Sequence, residues 1–184
     1  MPQYVRPWIN RTKLEREDKD IIYLIEGPDG VGKTTLAQEI DRQRKVSIIH
    51  ATYKPAWDIK EHHKDIWKAA KLIHKWTDVV IDRWAPSDLI YGTVFRGEPY
   101  YDVNGYLWEM EPEFEKEGVT WIYCRNDNAV KNHLKLKQER EEMYDDISGV
   151  VKGYDEFVEG SDLNWIHYDY DKNNLEDFVR GLPK

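Results

Sequence analysis

Residues 21–35, IIYLIEGPDGVGKTT, restrict what this chain can fold into more than any other stretch. Five mostly apolar residues, from Ile21 to Ile25, read as a buried strand, and the run LAQEIDRQ after Thr35 reads as a helix. Between them Gly27, Pro28, Asp29, Gly30, Val31, Gly32, Lys33 and Thr34 complete the pattern G-x-x-x-x-G-K-[ST]. Glycines let the backbone bend until successive N–H groups point inward at phosphate oxygens, and the new helix adds its positive end. Lys33 is expected to reach the β- and γ-phosphates of ATP, and the Thr34 hydroxyl to hold Mg²⁺.

A strand–loop–helix start of this kind belongs to a sheet with crossover helices, and the rest of the chain supplies one. Residues 46–50, 79–81, 119–124 and 165–168 read as four further short strands. Helices are expected at about 59–76, 86–95, 102–117, 128–143, 147–158 and 175–182. Five strands separated by helices predict an α/β fold with a five-stranded parallel sheet. Such sheets bind ligands at the carboxyl ends of their strands, where the loop, Asp82-Arg83 and Arg125 should converge. A length of 184 residues fits one domain over residues 21–184, with an acceptor-binding insert at about 51–77 and a helical lid at about 128–146. Residues 1–20 are polar, hold two prolines and lack the apolar centre of a signal peptide. They read as an extended leader, with Val5, Trp8 and Ile9 available to pack on the body.

No apolar run approaches membrane-spanning length. The single Cys124 rules out an internal disulfide and fits a reducing cytoplasm, the host's if the chain is viral. The formal net charge of −8 is not the footprint of a duplex-DNA binder, although a local basic groove is compatible with it. Eight Trp and twelve Tyr can be core or can stack on bases. His62, His63 and His74 match no common zinc spacing, and a solvated helix face is expected for them.

Asp82 ends the strand VVID, where an acid can help hold Mg²⁺, and Arg83 follows with a fork suited to phosphate. Asp29, inside the loop, would be costly beside a polyphosphate unless it accepts from a sugar hydroxyl or acts as a base; plain turn chemistry is the alternative. Lys131, Lys135, Lys137 and Arg140, with His133 beside them, read either as a lid closing on the transferring phosphoryl group or as a solvated helix. Arg140 is the catalytic candidate on the lid reading.

The loop EGPDGVGKTT, the element Asp82-Arg83-Trp84 and the run from Ser87 through Asp88, Leu89, Ile90 and Tyr91 to Gly92 together resemble the thymidylate kinase family, above all its bacteriophage members. The resemblance spans about residues 21–180 and implies a P-loop kinase fold, ATP and Mg²⁺ as cofactors, and a homodimer as in many members. It implies that Asp29 contacts the sugar 3′-hydroxyl, that Lys33, Thr34 and Thr35 hold the nucleotide and metal, and that Arg83 holds the acceptor phosphate. Ser87 and Tyr91 would line the base pocket, and residues 169–173 would border adenine. Gly30 stands where some members carry a loop arginine, a need that Arg140 would fill from the lid. Two departures stand out. Only 49 positions separate Lys33 from Asp82, fewer than in cellular members, which leaves Tyr53, Trp57 and Trp67 as stacking candidates. Cys124-Arg125-Asn126 also replaces an Asp followed by a Pro-containing turn.

The leading expectation is a kinase acting on a deoxynucleoside monophosphate, dTMP first. A phosphate acceptor is already anionic near neutrality, with a second pKa of about 6, and needs arginine clamps such as Arg83, Arg96 and Arg140. The alternative is phosphorylation of the hydroxymethyl group of 5-hydroxymethyluracil within phage DNA, with Asp29 or Asp82 as the base and aromatics around a flipped nucleotide. A free deoxynucleoside acceptor is a third variant. A non-catalytic nucleotide switch is the reading from another class, opposed by the presence of both Lys33 and Asp82.

Overall fold

The computed structural model describes residues 20–51, 58–138 and 144–183. Residues 1–19 of the expected leader, Tyr53, Trp57, Arg140 and the tip of the expected lid therefore lie outside the described residues. Five strands form one sheet: β1 (Ile22–Glu26), β2 (Ser47–His50), β3 (Val79–Asp82), β4 (Val119–Cys124) and β5 (Trp165–Tyr168). Every neighbouring pair is parallel, in the order β2-β3-β1-β4-β5. Seven helices occur among the described residues: α1 (Lys33–Arg44), α2 (Ile59–His74), α3 (Ala85–Arg96), α4 (Val103–Glu117), α5 (Ala129–Lys137), α6 (Ser148–Glu159) and α7 (Leu175–Gly181). The described helix α5 ends at Lys137, short of the expected Met143, and residues 139–143 lie outside the described set.

The period of two along β1 divides the core. Ile22 and Leu24 face one layer with Trp67, Trp84, Phe114, Trp121 and Tyr154, under α2, α3, α4 and α6. Tyr23 and Ile25 face the other, with Leu36, Ala37 and Ile40 of α1 and Val179 of α7. With both faces covered, β1 is a run of five buried residues. The chain leaves β1 toward β2 and β3 on one side and later toward β4 and β5 on the other. Its carboxyl end is therefore the switch point at which such sheets open a ligand crevice.

Two expectations about side chains on α2 are corrected here. His63 and His74 are buried rather than solvated. His63 Nδ1 pairs with the Tyr101 hydroxyl at 2.6 Å, and burial, then His62, push its pKa down to about 4, so it is neutral near pH 7. Trp67 is core and not a base-stacking platform. Its ring lies 5.7 Å from Trp84 and 5.3 Å from Phe114, and its N–H donates to Glu113 at 2.7 Å. Once the aromatic layer between α2 and the sheet is filled, all three residues are drawn inside.

Candidate active site

The phosphate loop leaves β1 at Gly27 and enters α1 at Lys33. Its glycines answer to specific neighbours. A Cβ on Gly27, at φ +144°, would lie 2.3 Å from the Cys124 carbonyl oxygen of β4. One on Gly30, at φ +78°, would lie 2.9 Å from the His133 amide nitrogen of α5. The loop is thus wedged between β4 and α5, and at position 30 there is no room for the arginine that some thymidylate kinases carry.

The Lys33 ammonium is buried and donates to the Pro28 carbonyl of its own loop. Burial and the nearby Arg83 push its pKa down to about 8, with Asp29 and Asp82 pulling the other way. The Thr34 hydroxyl lies 3.5 Å from Asp82 Oδ2, and His50 Nδ1 of β2 lies 3.0 Å from the same oxygen. Asp82 Oδ1 is buried with no hydrogen-bond partner. A hydroxyl, a carboxylate oxygen with free lone pairs and incoming phosphate oxygens form a hard, all-oxygen donor set, which suits Mg²⁺. Among the described residues no group of three His, Cys, Asp or Glu side chains could hold a metal.

A cavity of about 290 Å³ opens beside the loop, lined by Trp84, Ser87, Tyr91, Arg96 and Tyr144 among others, with Arg83 in its wall. Asp29 reaches across from the loop. It accepts from the Tyr91 hydroxyl at 2.9 Å and forms an ion pair with Arg83, whose guanidinium lies 5.1 Å from the centre of the Tyr91 ring. Burial opposes ionisation of Asp29, but Arg83 and Lys33 outweigh it and hold the carboxyl below its ordinary range. The Arg83 backbone sits at φ +69°, a left-handed conformation that costs a non-glycine residue roughly 1–3 kcal/mol.

The remaining expected groups divide. Ser87 lines the cavity, but its hydroxyl donates to Glu26 at 2.7 Å, so it is engaged behind the wall. Arg96 is at the rim, paired with Asp88 at 2.7 Å and 3.8 Å from the centre of the Tyr100 ring. Arg125 does not join the phosphate crevice; it turns to Asp155 of α6 at 2.8 Å and to Asp127. His133 is buried rather than part of a basic surface, with Nε2 2.6 Å from the Tyr144 carbonyl oxygen. It ties α5 to the residue that stacks on Phe95 at 3.6 Å over the cavity. A second hollow of about 400 Å³ is lined by Gly30, Gly32, Thr35, Leu136, Tyr170 and Leu175. It lies beside residues 169–173, a turn fixed by Asn126 to Asp169 (2.9 Å) and Asn128 to Asp171 (3.1 Å).

Sequence reading passed over Glu26. This last residue of β1 is fully buried, and burial pushes its pKa up to about 6 against the pull of Ser87 and Arg83. The available signal was an acid closing an otherwise apolar strand, immediately before the loop.

No protein-family model and no curated protein matches the sequence. Solved structures do match the fold. YorR from Bacillus subtilis, in complex with phosphorylated GDP, is 20% identical over 86% of this chain and 91% of its own, with a TM-score of 0.68. Deoxyadenosine kinase from M. mycoides with bound dATP is 17% identical over 86% of this chain and 97% of its own, with a TM-score of 0.55. Thymidylate kinase from Candida albicans is 14% identical over 88% of each chain, with a TM-score of 0.54. At these identities the likeness concerns architecture: the chain has the P-loop fold that its neighbours among the nucleotide kinases share.

Proposed function

We propose that this protein is a kinase of thymidylate-kinase type, which transfers the γ-phosphate of ATP to a thymidine-like deoxynucleotide, dTMP or a related deoxynucleoside monophosphate. One observation carries the reading. Asp29 of the phosphate loop touches both Arg83 and Tyr91 in the wall of the cavity, so donor and acceptor would meet at that contact. The kinase neighbours in fold support it. Lys33 would exchange the Pro28 carbonyl for the β- and γ-phosphates, and their charge would restore the basicity that burial lowers. Thr34 and Asp82 would hold Mg²⁺, which would supply positive charge to offset that of the phosphates. Arg83 would orient the acceptor phosphate, leaving Asp29 free to accept from the sugar hydroxyl. The acceptor oxygen then forms its bond to the γ-phosphorus as the bond to the bridging oxygen breaks and ADP departs. Catalysis is positioning and charge neutralisation.

A second reading, a hydroxyl acceptor such as 5-hydroxymethyluracil within DNA or a free deoxynucleoside, is favoured by a different observation. Both arginines at the cavity are already matched by carboxylates, Arg83 by Asp29 and Arg96 by Asp88, and an uncharged acceptor would leave those pairs intact. Its base would be Asp82, whose Oδ1 is free, rather than the tightly held Asp29. Labelled ATP offered with dTMP, other deoxynucleoside monophosphates, thymidine and hydroxymethyluracil-containing DNA separates the readings. Transfer to dTMP supports the first, transfer to DNA or thymidine alone replaces it by the second, and no transfer to any of them defeats both.

A further inference from the structure

Glu26 ends β1 one residue ahead of the phosphate loop, and no step above uses it. Its surroundings are nevertheless the most constrained of any acid near the site. Oε1 accepts from the Trp84 backbone N–H at 2.7 Å. Oε2 accepts from the Ser87 hydroxyl at 2.7 Å and the Tyr154 hydroxyl at 3.0 Å, and those two hydroxyls lie 2.7 Å apart. A single carboxylate thus joins four segments: the root of the loop, the turn that carries Arg83, the first turn of α3, and α6.

We propose that Glu26 is a positioning residue that clasps the Arg83 turn to the root of the phosphate loop and so sets the acceptor in line with the donor. The proposal rests on the kinase reading above. Trp84 precedes α3 without a side-chain cap, and Glu26 supplies the acceptor for its amide. The residue just before that amide is Arg83, held at φ +69°. A non-glycine residue stays in that region only while its surroundings hold it there. Without the clasp the Arg83 backbone can relax to negative φ, and its guanidinium leaves Asp29 and Tyr91. The chemistry of the residue fits the task. Three donors converge on a group that, when ionised, only accepts. An apolar side chain would serve a buried strand end better, so an acid here points to the site rather than to the core. Glu26 makes no hydrogen bond to Lys33 or Thr34, so the donor half should not feel its loss.

The test compares Glu26→Leu, which removes both acceptor oxygens, with Glu26→Gln, which keeps one for the Trp84 amide. Three quantities are read: the Kd for MgATP by calorimetry, kcat and KM for the acceptor, and hydrogen-exchange protection of the Trp84 amide. Glu26→Leu is expected to lower kcat/KM for the acceptor about 100-fold and Trp84 protection at least tenfold, with Kd for MgATP within twofold of wild type. Glu26→Gln is expected to restore the protection and most of kcat/KM. Should Glu26→Leu fail to fold, Tyr154→Phe takes its place, with kcat/KM reduced several-fold and MgATP binding unchanged. Unchanged kcat/KM, or a loss shared equally by MgATP binding, overturns the proposal. If wild type phosphorylates no acceptor, the kinase reading fails, while Trp84 exchange still decides whether the clasp exists.

Discussion

The phosphate loop and the cavity beside it share a border at Asp29 but are built by different means. The loop is one continuous segment, Gly27 to Thr34, whose working groups are largely backbone N–H donors. Its shape is enforced by close approaches to the Cys124 carbonyl and the His133 amide. The cavity is made of side chains from α2, the turn after β3, α3 and the segment entering α6, held by pairings such as Arg83 with Asp29, Arg96 with Asp88 and Phe95 on Tyr144. A loop made of backbone tolerates few changes and has one chemistry. A cavity made of paired side chains can be reshaped by exchanging one partner, without disturbing the loop.

The comparison is broken most directly at Lys33. Lys33→Ala should lower kcat by at least about 10³-fold with the fold and acceptor binding intact, since its charge meets the transferring group. Near-wild-type turnover in a steady-state assay would sink the donor assignment. Arg83→Ala tests the other side. It should cost about 100-fold in kcat/KM. The loss should fall chiefly on the acceptor KM if the acceptor is a monophosphate, and on kcat if it is a hydroxyl. An equal rise in the Kd for MgATP would mean that the two halves are not separable.

The same contrast explains what could be read in advance. The loop was legible because its determinants are local: residue types, their spacing, and a strand and helix on either side. The five parallel strands followed from short apolar runs alternating with helical ones, and all five occur in the fold. The cavity wall was legible only in part. Arg83 and Tyr91 both line the cavity, but the pairing of Arg96 with Asp88 across one helix, and of Arg125 with Asp155, depends on rotamers and packing that no spacing rule encodes. His63, His74 and Trp67 were misread for a related reason. Polar or amphipathic letters on a helix suggest a solvated face until a layer of tryptophan and phenylalanine encloses them. Glu26 escaped notice because its partners lie 58, 61 and 128 positions away.

A smaller effect sharpens the account of the loop. Gly30→Ala sets a methyl 2.9 Å from the His133 nitrogen at φ +78°, and the atom it meets is backbone that cannot swing aside. Overpacking of this kind costs about 1–3 kcal/mol. Denaturant unfolding should register that loss together with weaker MgATP binding, because α5 and the loop must separate. A neutral substitution there would show that α5 yields freely and that the donor side is softer than its contacts imply.

The smallest expected effect concerns the join between the halves, and its sign is fixed by Glu26. The folded carboxyl has a pKa of about 6 against 4.5 for the ordinary group, so between those values the folded chain holds a proton that the unfolded chain has released. The stabilisation from protonation is fully present below about 4.5 and is lost as pH rises through about 6, and the shift corresponds to roughly 2 kcal/mol at most. Asp29, held low by Arg83 and Lys33, acts with the opposite sign as pH falls, so wild type alone mixes the two. The difference between wild type and Glu26→Gln isolates the effect. Wild type should gain on the variant by about 1–2 kcal/mol in unfolding free energy between pH 7 and pH 4.5. A difference that stays flat over that range would mean that Glu26 titrates in the fold as it does in the unfolded chain and stays ionised down to about pH 4.5. The cavity wall would then be fastened by a carboxylate whose burial is fully offset by its three donors and the nearby charge of Arg83.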